Sequence, residues 1–443
     1  MSENKLYAGF HCMKVEPPMG IHVPGYYEKR YSDGFLTDLH IRAAAFQCGE
    51  DRAIVFSVEA IGINAAAFNY LKPKIAQRCN LPESAIYINC IHSHTAYRIT
   101  MFGTKEIDDN DIFLMRLFQQ FTDCAQFAFE DLKPCSLKIA TGEAKGVGFI
   151  RRYRMKDGTC KTNPGIGNPD IDSFVGEQDD SVQLVRIDRE DGKDILMVNF
   201  GTHADVIGGT KYCADWPGYL AANLNGAFGG EVETMVLLGA EGDSNHINAF
   251  LPKGSPRKGV EVSKRMARIL AGEVLKVYDS AKAVESDKVA FYTKDVQIGK
   301  NAYDPADVPI AQEMRQIYLE KGNKAPELKN YKLNVPEALR IIANLSRPEF
   351  FNLRIHALQI GNIAFVGFPG EPFTAIGRAI KENSKMDMTI VTACTNGGEG
   401  YYPDAAAFAE AGYERSASPF ASNCAEILIE AGNALTGEME KIG

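Results

Sequence analysis

Runs of apolar, β-branched and aromatic residues recur along the chain between polar stretches. They fall at Ala53–Val58, Ala85–Asn89, Val182–Ile187, Ile195–Phe200, Met235–Leu238, Val289–Tyr292, Ile355–Ile360 and Ile363–Phe368. Runs of this length and make-up predict strands. A 3.6-residue apolar period predicts helices at Asn64–Cys79, Asp111–Leu132, Gly218–Ala227, Val260–Asp279, Ala311–Glu320, Val335–Asn344, Pro372–Asn383 and Pro419–Leu435. Asn64 and Asn110 are suited to cap two of these helices, and Pro419 suits a first helical turn. Gly361-Asn362, between two apolar runs, predicts a hairpin with a two-residue turn.

Strands and helices alternate through most of the chain, which predicts an α/β fold with mixed sheets flanked by helices. No repeat, low-complexity tract or linker divides residues 1–443, so a single domain is expected. Residues 299–346 are more polar and helical, and predict an excursion covering the site.

Composition narrows the function. Of 443 residues, 45% are hydrophobic and 24% charged, the balance of an ordinary globular protein. The net charge of -9 argues against a nucleic-acid binder. No apolar run approaches the ~18 residues that span a bilayer, and the N-terminus lacks the pattern of a secretory signal. The ten cysteines form no C-x-x-C pair, which predicts reduced thiols in a cytoplasmic protein rather than a cysteine metal site.

Histidine is scarce, with eight in all, and three groups follow predicted strands: His92-Ser93-His94, His203 within Gly201–Asp205, and His246 after Gly242-Asp243. Ligands of open α/β sheets bind at such strand ends. Imidazole is a common zinc ligand, and a catalytic site uses about three protein ligands. An extended His-x-His puts both rings on one side, so one can hold a metal while the other works on water. Each histidine could equally bond a backbone carbonyl. Glu371, between a strand and a helix, suits either a metal ligand or a favourable charge at a helix N-terminus.

Taken in order, these motifs resemble the neutral/alkaline ceramidase family. The resemblance runs through Pro17-Pro18-Met19-Gly20, Gly25-Tyr26, Leu39–Ala43, His92-Ser93-His94, Arg151-Arg152 and His203. It continues through Ala214–Gly218, Gly242-Asp243, Gly370-Glu371, Gly377-Arg378, Asn396, Gly400-Tyr401 and Tyr413-Glu414. It implies the family's catalytic-domain fold and a Zn2+ ion held by His92, His203, Glu371 and Tyr401. It also implies that His94, Arg151 and Tyr413 surround the attacking water and the substrate carbonyl. Asp215 then either holds the His203 tautomer or caps the following helix. The implied activity is zinc-dependent hydrolysis of an amide or ester in a small or lipid-like substrate. A metal-dependent lyase or isomerase, and a non-catalytic ligand-binding protein, are the alternatives. Asn245 stands where the family has serine, with Ser244 one residue early, and Ala96-Tyr97 stand for its Gly-Pro. The resemblance also stops before the family's C-terminal β-sandwich. Long-chain ceramide is therefore expected to be a poor substrate.

Overall fold

Three stretches of the chain repeat one local event: a buried strand, a helix, and a parallel strand beside the first. The computed structural model describes residues 5–103, 107–410 and 412–441. Its first sheet contains β1 (Leu6–Val15), β2 (Leu39–Cys48), β3 (Asp51–Val58), β4 (Ile86–Cys90), β5 (Lys133–Glu143), β6 (Ser181–Arg189), β7 (Asp194–Phe200), β8 (Val232–Leu238) and the short β9 (Lys282–Val284). The order is β8-β7-β6-β5-β1-β2-β3-β4, with β9 added on β5. A second sheet runs in sequence order through β10 (Val289–Gly299), β11 (Phe350–Ile360), β12 (Ile363–Gly367) and β13 (Met388–Thr392). The principal helices are α1 (Ala65–Cys79), α2 (Asp109–Glu130), α3 (Asp215–Ala227), α4 (Val260–Tyr278), α5 (Val308–Lys321), α6 (Val335–Leu345), α7 (Thr374–Asn383), the short α8 (Tyr413–Ala417) and α9 (Cys424–Glu440). The architecture is α/β, with mixed sheets flanked by helices.

The parallel pairs β3/β4, β7/β8 and β12/β13 are bridged by α1, α3 and α7. Their strands are buried almost throughout and read as continuous apolar runs, as strands covered on both faces do. Every other pairing in the two sheets is antiparallel.

The two sheets meet where these parallel strands end. Asn89 Nδ2 donates to Ala393 O at 2.6 Å, and Asn89 Oδ1 accepts from Leu238 N at 2.9 Å. Ala393 N donates to Leu238 O, and Cys90 N to Cys394 O. Asn396 acts as a side-chain strand: Oδ1 accepts from Ile88 N at 2.7 Å and Nδ2 donates to Ile86 O at 2.9 Å. Buried amides are costly unless paired, so this ladder fixes one register between the sheets.

Asn64 caps α1, its side chain accepting from Ala67 N. Asn110 is not a cap, because the helix is capped two residues earlier by Asp108, which forms a reciprocal capping box with Asp111. Pro419 lies outside α9, which begins at Cys424, since Phe420 is buried against Tyr402 before the helix starts. The Gly361-Asn362 hairpin is present, with Gly361 at φ +58. Among the described residues no disulfide is formed, and eight of the ten cysteines are buried. Among the described residues, no helix is long and apolar enough to cross a membrane.

Between β10 and β11 the chain leaves the sheet. There α5 and α6 pack on each other around their own small core of Ala311, Met314, Leu328, Leu333 and Ile341.

Candidate metal centre

The segments after β4, β7, β8, β12 and β13 converge at one end of the sheets. His92 follows β4 by two residues and has φ +57, so it sits on a left-handed kink. The expected extended His-x-His is therefore absent. The two rings still share a side, with centroids 4.9 Å apart, because the kink and not a pleat turns them inward.

His92 Nδ1 donates to Ile61 O at 2.7 Å. His203 Nδ1 donates to Glu241 O and Ser244 O at 2.9 and 3.0 Å. Each ring therefore has its proton on Nδ1 and a lone pair on Nε2. Both lone pairs point at one oxygen: Glu371 Oε2 lies 3.1 Å from His203 Nε2 and 3.5 Å from His92 Nε2. That oxygen is buried and has no hydrogen-bond partner. Two lone pairs and a carboxylate oxygen repel each other unless a cation lies among them. The donor set thus fits a divalent metal. Tyr401 brings its hydroxyl to 3.4 Å from His203 Nε2, and burial with Glu371 nearby keeps that phenol protonated well above its ordinary range.

Backbone placement explains the convergence. Glu371-Pro372 pairs in parallel with Tyr401-Tyr402, which sets the two side chains side by side. Gly242 lies against Glu371: a Cβ there would come within 2.4 Å of Glu371 O, so only glycine fits. Asp243 accepts from Thr374 N at 2.7 Å and from Thr374 Oγ1 at 3.2 Å, tying this loop to the start of α7. Burial raises the Asp243 carboxyl to about 6.

His94 stands beside the cluster, and neither ring nitrogen has a partner. Ligand atoms of His92, His94 and His203 lie within 4.8 Å of one another, and so do those of His92, Glu241 and Glu371. Burial, then the neighbouring His92, holds His94 well below its ordinary pKa. Burial would raise Glu371, but His92, His203 and Arg151 outweigh it and hold the carboxyl far below its usual range.

Arg151 is clamped. Its Nε donates to Glu414 Oε1 and its Nη2 to Gly242 O, both at 2.7 Å, while Nη1 lies 3.3 Å from His203 Nε2. Glu414 also accepts from Thr162 Oγ1 at 2.8 Å. The Tyr413 hydroxyl lies near those of Tyr27 and Tyr401, its ring 5.6 Å from that of Tyr401. The sequence reading gave no role to Glu241, Glu414 or Tyr27. Each adjoins a motif already singled out, and an acid directly after the apolar run Val236–Ala240 was a usable signal.

Asp215 does not hold His203. Its carboxylate accepts from Ile207 N, Trp216 N and Ser263 Oγ, and backbone carbonyls fix the His203 tautomer instead. The helix also starts at Asp215 itself, three residues before Gly218. Ser244 bonds Gln178 and Thr202, Asn245 bonds Asn163, and His246 Nδ1 lies 3.1 Å from Asp205.

No family model matches this chain, and no curated protein matches it in sequence. Solved structures do match. The neutral ceramidase of Pseudomonas aeruginosa superposes with a TM-score of 0.72 at 12% identity, over 99% of this chain and 75% of that one. A ceramidase solved in complex with C2 gives the same TM-score and identity, over 98% of this chain and 76% of its own. Over nearly its whole length, the chain has the fold of a neutral ceramidase.

Proposed function

We propose that the protein is a zinc-dependent hydrolase that cleaves an amide or ester bond with water. The observation that carries this reading is the convergence of His92 Nε2 and His203 Nε2 on Glu371 Oε2, a buried oxygen without a hydrogen-bond partner. His92, His203, Glu371 and Tyr401 would hold the ion. When bound, zinc polarises a carbonyl and acidifies water toward pKa ≈ 7.

The chain's own residues then divide the work. His94 has a ring nitrogen to spare and takes a proton as water oxygen bonds to the carbonyl carbon. It returns that proton to the leaving nitrogen or oxygen as the bond to carbon breaks. Tyr413, positioned by Tyr27, donates a hydrogen bond to the carbonyl oxygen as charge develops there. Arg151 is fixed by Glu414 and steadies His203 and the carbonyl end of the substrate.

The helices of the 299–346 segment act as a cap over this site. Tyr318 hydroxyl donates to Tyr27 O at 2.8 Å, and Arg340 Nε to Ser416 O at 3.0 Å. Those contacts reach both the Tyr27 wall and the α8 wall. The fold shared with ceramidases supports a lipid-like or small acyl substrate, and cysteines that form no disulfide among the described residues support a reducing, cytoplasmic setting.

The test is elemental analysis of protein purified without added metal, joined to turnover on a panel of acyl amides and esters. About one zinc per chain with turnover lost in Glu371→Ala is expected. A full complement of metal with no turnover of any acyl compound would point to a binding protein or to enolate chemistry.

A further inference from the structure

We propose that Arg98 selects substrates carrying a carboxylate close to the scissile amide or ester. This deepens the hydrolase reading and rests on it.

The backbone of Arg98 is firmly placed. Arg98-Ile99 pairs in parallel with Gly62-Ile63, and Ile61 N donates to Tyr97 O at 2.9 Å. Ile61 is also the residue whose carbonyl orients His92. The segment that aims a cluster histidine therefore also carries the strand that presents Arg98.

The side chain faces the site. It lines a cavity of about 180 Å³ whose wall includes His92, Glu371 and Cys394. It also lines the adjoining open groove with His22, Tyr26 and Tyr31. Arg98 thus stands between the groove and the cluster.

Among the described residues, the exposed Arg98 guanidinium makes no hydrogen bond or ion pair, although the chain carries a net charge of -9. Arg30, on the other side of His94, also lacks a carboxylate partner: its guanidinium donates only to the carbonyls of Pro24, His94 and Gly209. Asp108 is the one acid on the groove wall beside Arg98, and it accepts its hydrogen bond from Asp111 N at the start of α2, which leaves both guanidiniums open to an anionic group entering the cleft. Glu399 is a second carboxylate on the cavity wall beside Glu371; burial raises it toward the neutral form, and Arg347 opposes that.

The cavity, about 180 Å³, is large enough for a short acidic moiety beside the cluster. A guanidinium matches a carboxylate through two parallel hydrogen bonds.

The test uses N-acetylated α-, β- and γ-amino acids, each paired with its carboxamide, on the metal-loaded enzyme. Turnover and calorimetric binding are both measured for wild type, Arg98→Gln and Arg98→Lys. The acid of at least one pair should be preferred by about 10- to 100-fold, the range of a charge-assisted pair. That preference should fall to about threefold or less in Arg98→Gln and return in part with Arg98→Lys. An acid preference that survives Arg98→Gln, or no preference in wild type in either assay, overturns the assignment. Arg98-dependent binding of acids without hydrolysis of any pair would sink the hydrolase reading and leave the Arg98 assignment standing.

Discussion

Replacing Glu371 by glutamine changes almost nothing but charge, and the geometry dictates an unusually clean result. The carboxylate oxygen that faces His92 Nε2 and His203 Nε2 at 3.5 and 3.1 Å repels both lone pairs. An amide nitrogen in that place offers one N–H to each. The cluster then satisfies itself without a cation. A four-ligand zinc site contributes about 10–16 kcal/mol, so one ligand carries about 2.5–4 kcal/mol on an even share. Glu371→Gln should weaken zinc binding by about 10²–10³-fold. Chelator competition followed by elemental analysis measures this. The metal-stripped variant should melt no lower than metal-stripped wild type, which separates lost affinity from lost folding. His203→Ala should lose metal similarly. His94→Ala should keep zinc within about tenfold of wild type, since His94 is assigned to the proton and not to the ion. The reasoning is refuted if Glu371→Gln holds zinc as tightly as wild type. Equal loss in His94→Ala would make His94 a ligand, as its place in a three-histidine cluster allows.

Other expectations follow from neighbouring contacts. Tyr413→Phe should cut turnover by about 10²–10³-fold with little change in substrate binding, because an oxyanion donor acts mainly in the transition state; kinetics and a melting curve on one preparation decide it. Glu414→Gln strands the buried Arg151 guanidinium, a loss of about 3–5 kcal/mol. For 443 residues the unfolding entropy is about 0.9 kcal/mol per degree, so the calorimetric melting point should drop by about 3–5 °C. His356 is pushed down to about 4 by burial, with Lys72 and Arg354 adding to it. Between about pH 6.5 and 4 the unfolded chain binds a proton that the folded chain refuses, so this contribution to stability is lost as pH falls, by about 3 kcal/mol in all. Urea melts of wild type and His356→Gln across that range should show a shallower decline in the variant, and parallel curves would remove His356 from the acid response.

The sequence was most legible where one physical signal dominated. The strands leading to His92, His203 and Glu371 were read from their continuous apolar runs, within one or two residues of their observed ends. Strands β1 and β5 were missed because LYAGFHCMKV and KPCSLKIATGE mix apolar residues with Gly, Lys, Cys and Pro, and β5 is only partly buried. Strand β13 was missed because MTIVT, after a helix, interrupts its apolar residues with threonine. At the site, residue type was informative and local shape was not. His92 and His94 were paired through an extended pleat, but a positive φ brings them together. Asp215 suited a tautomer-holding role by spacing alone, but long-range carbonyls took that role. Tyr401 had no sequence signal apart from family resemblance, since its place depends on pairing with Glu371 across thirty residues of chain.

The amide ladder between the sheets has a consequence for how the molecule could be divided. His92 and His203 follow strands of the first sheet, whereas Glu371 and Tyr401 follow strands of the second and pair with each other in a two-stranded ribbon. A scission in the exposed turn after α5, near Gly322, leaves each fragment with half of the ligand set and one face of the ladder. Neither half can then assemble the cluster alone. Zinc would act as a clasp between them, and its uptake would report fragment complementation directly.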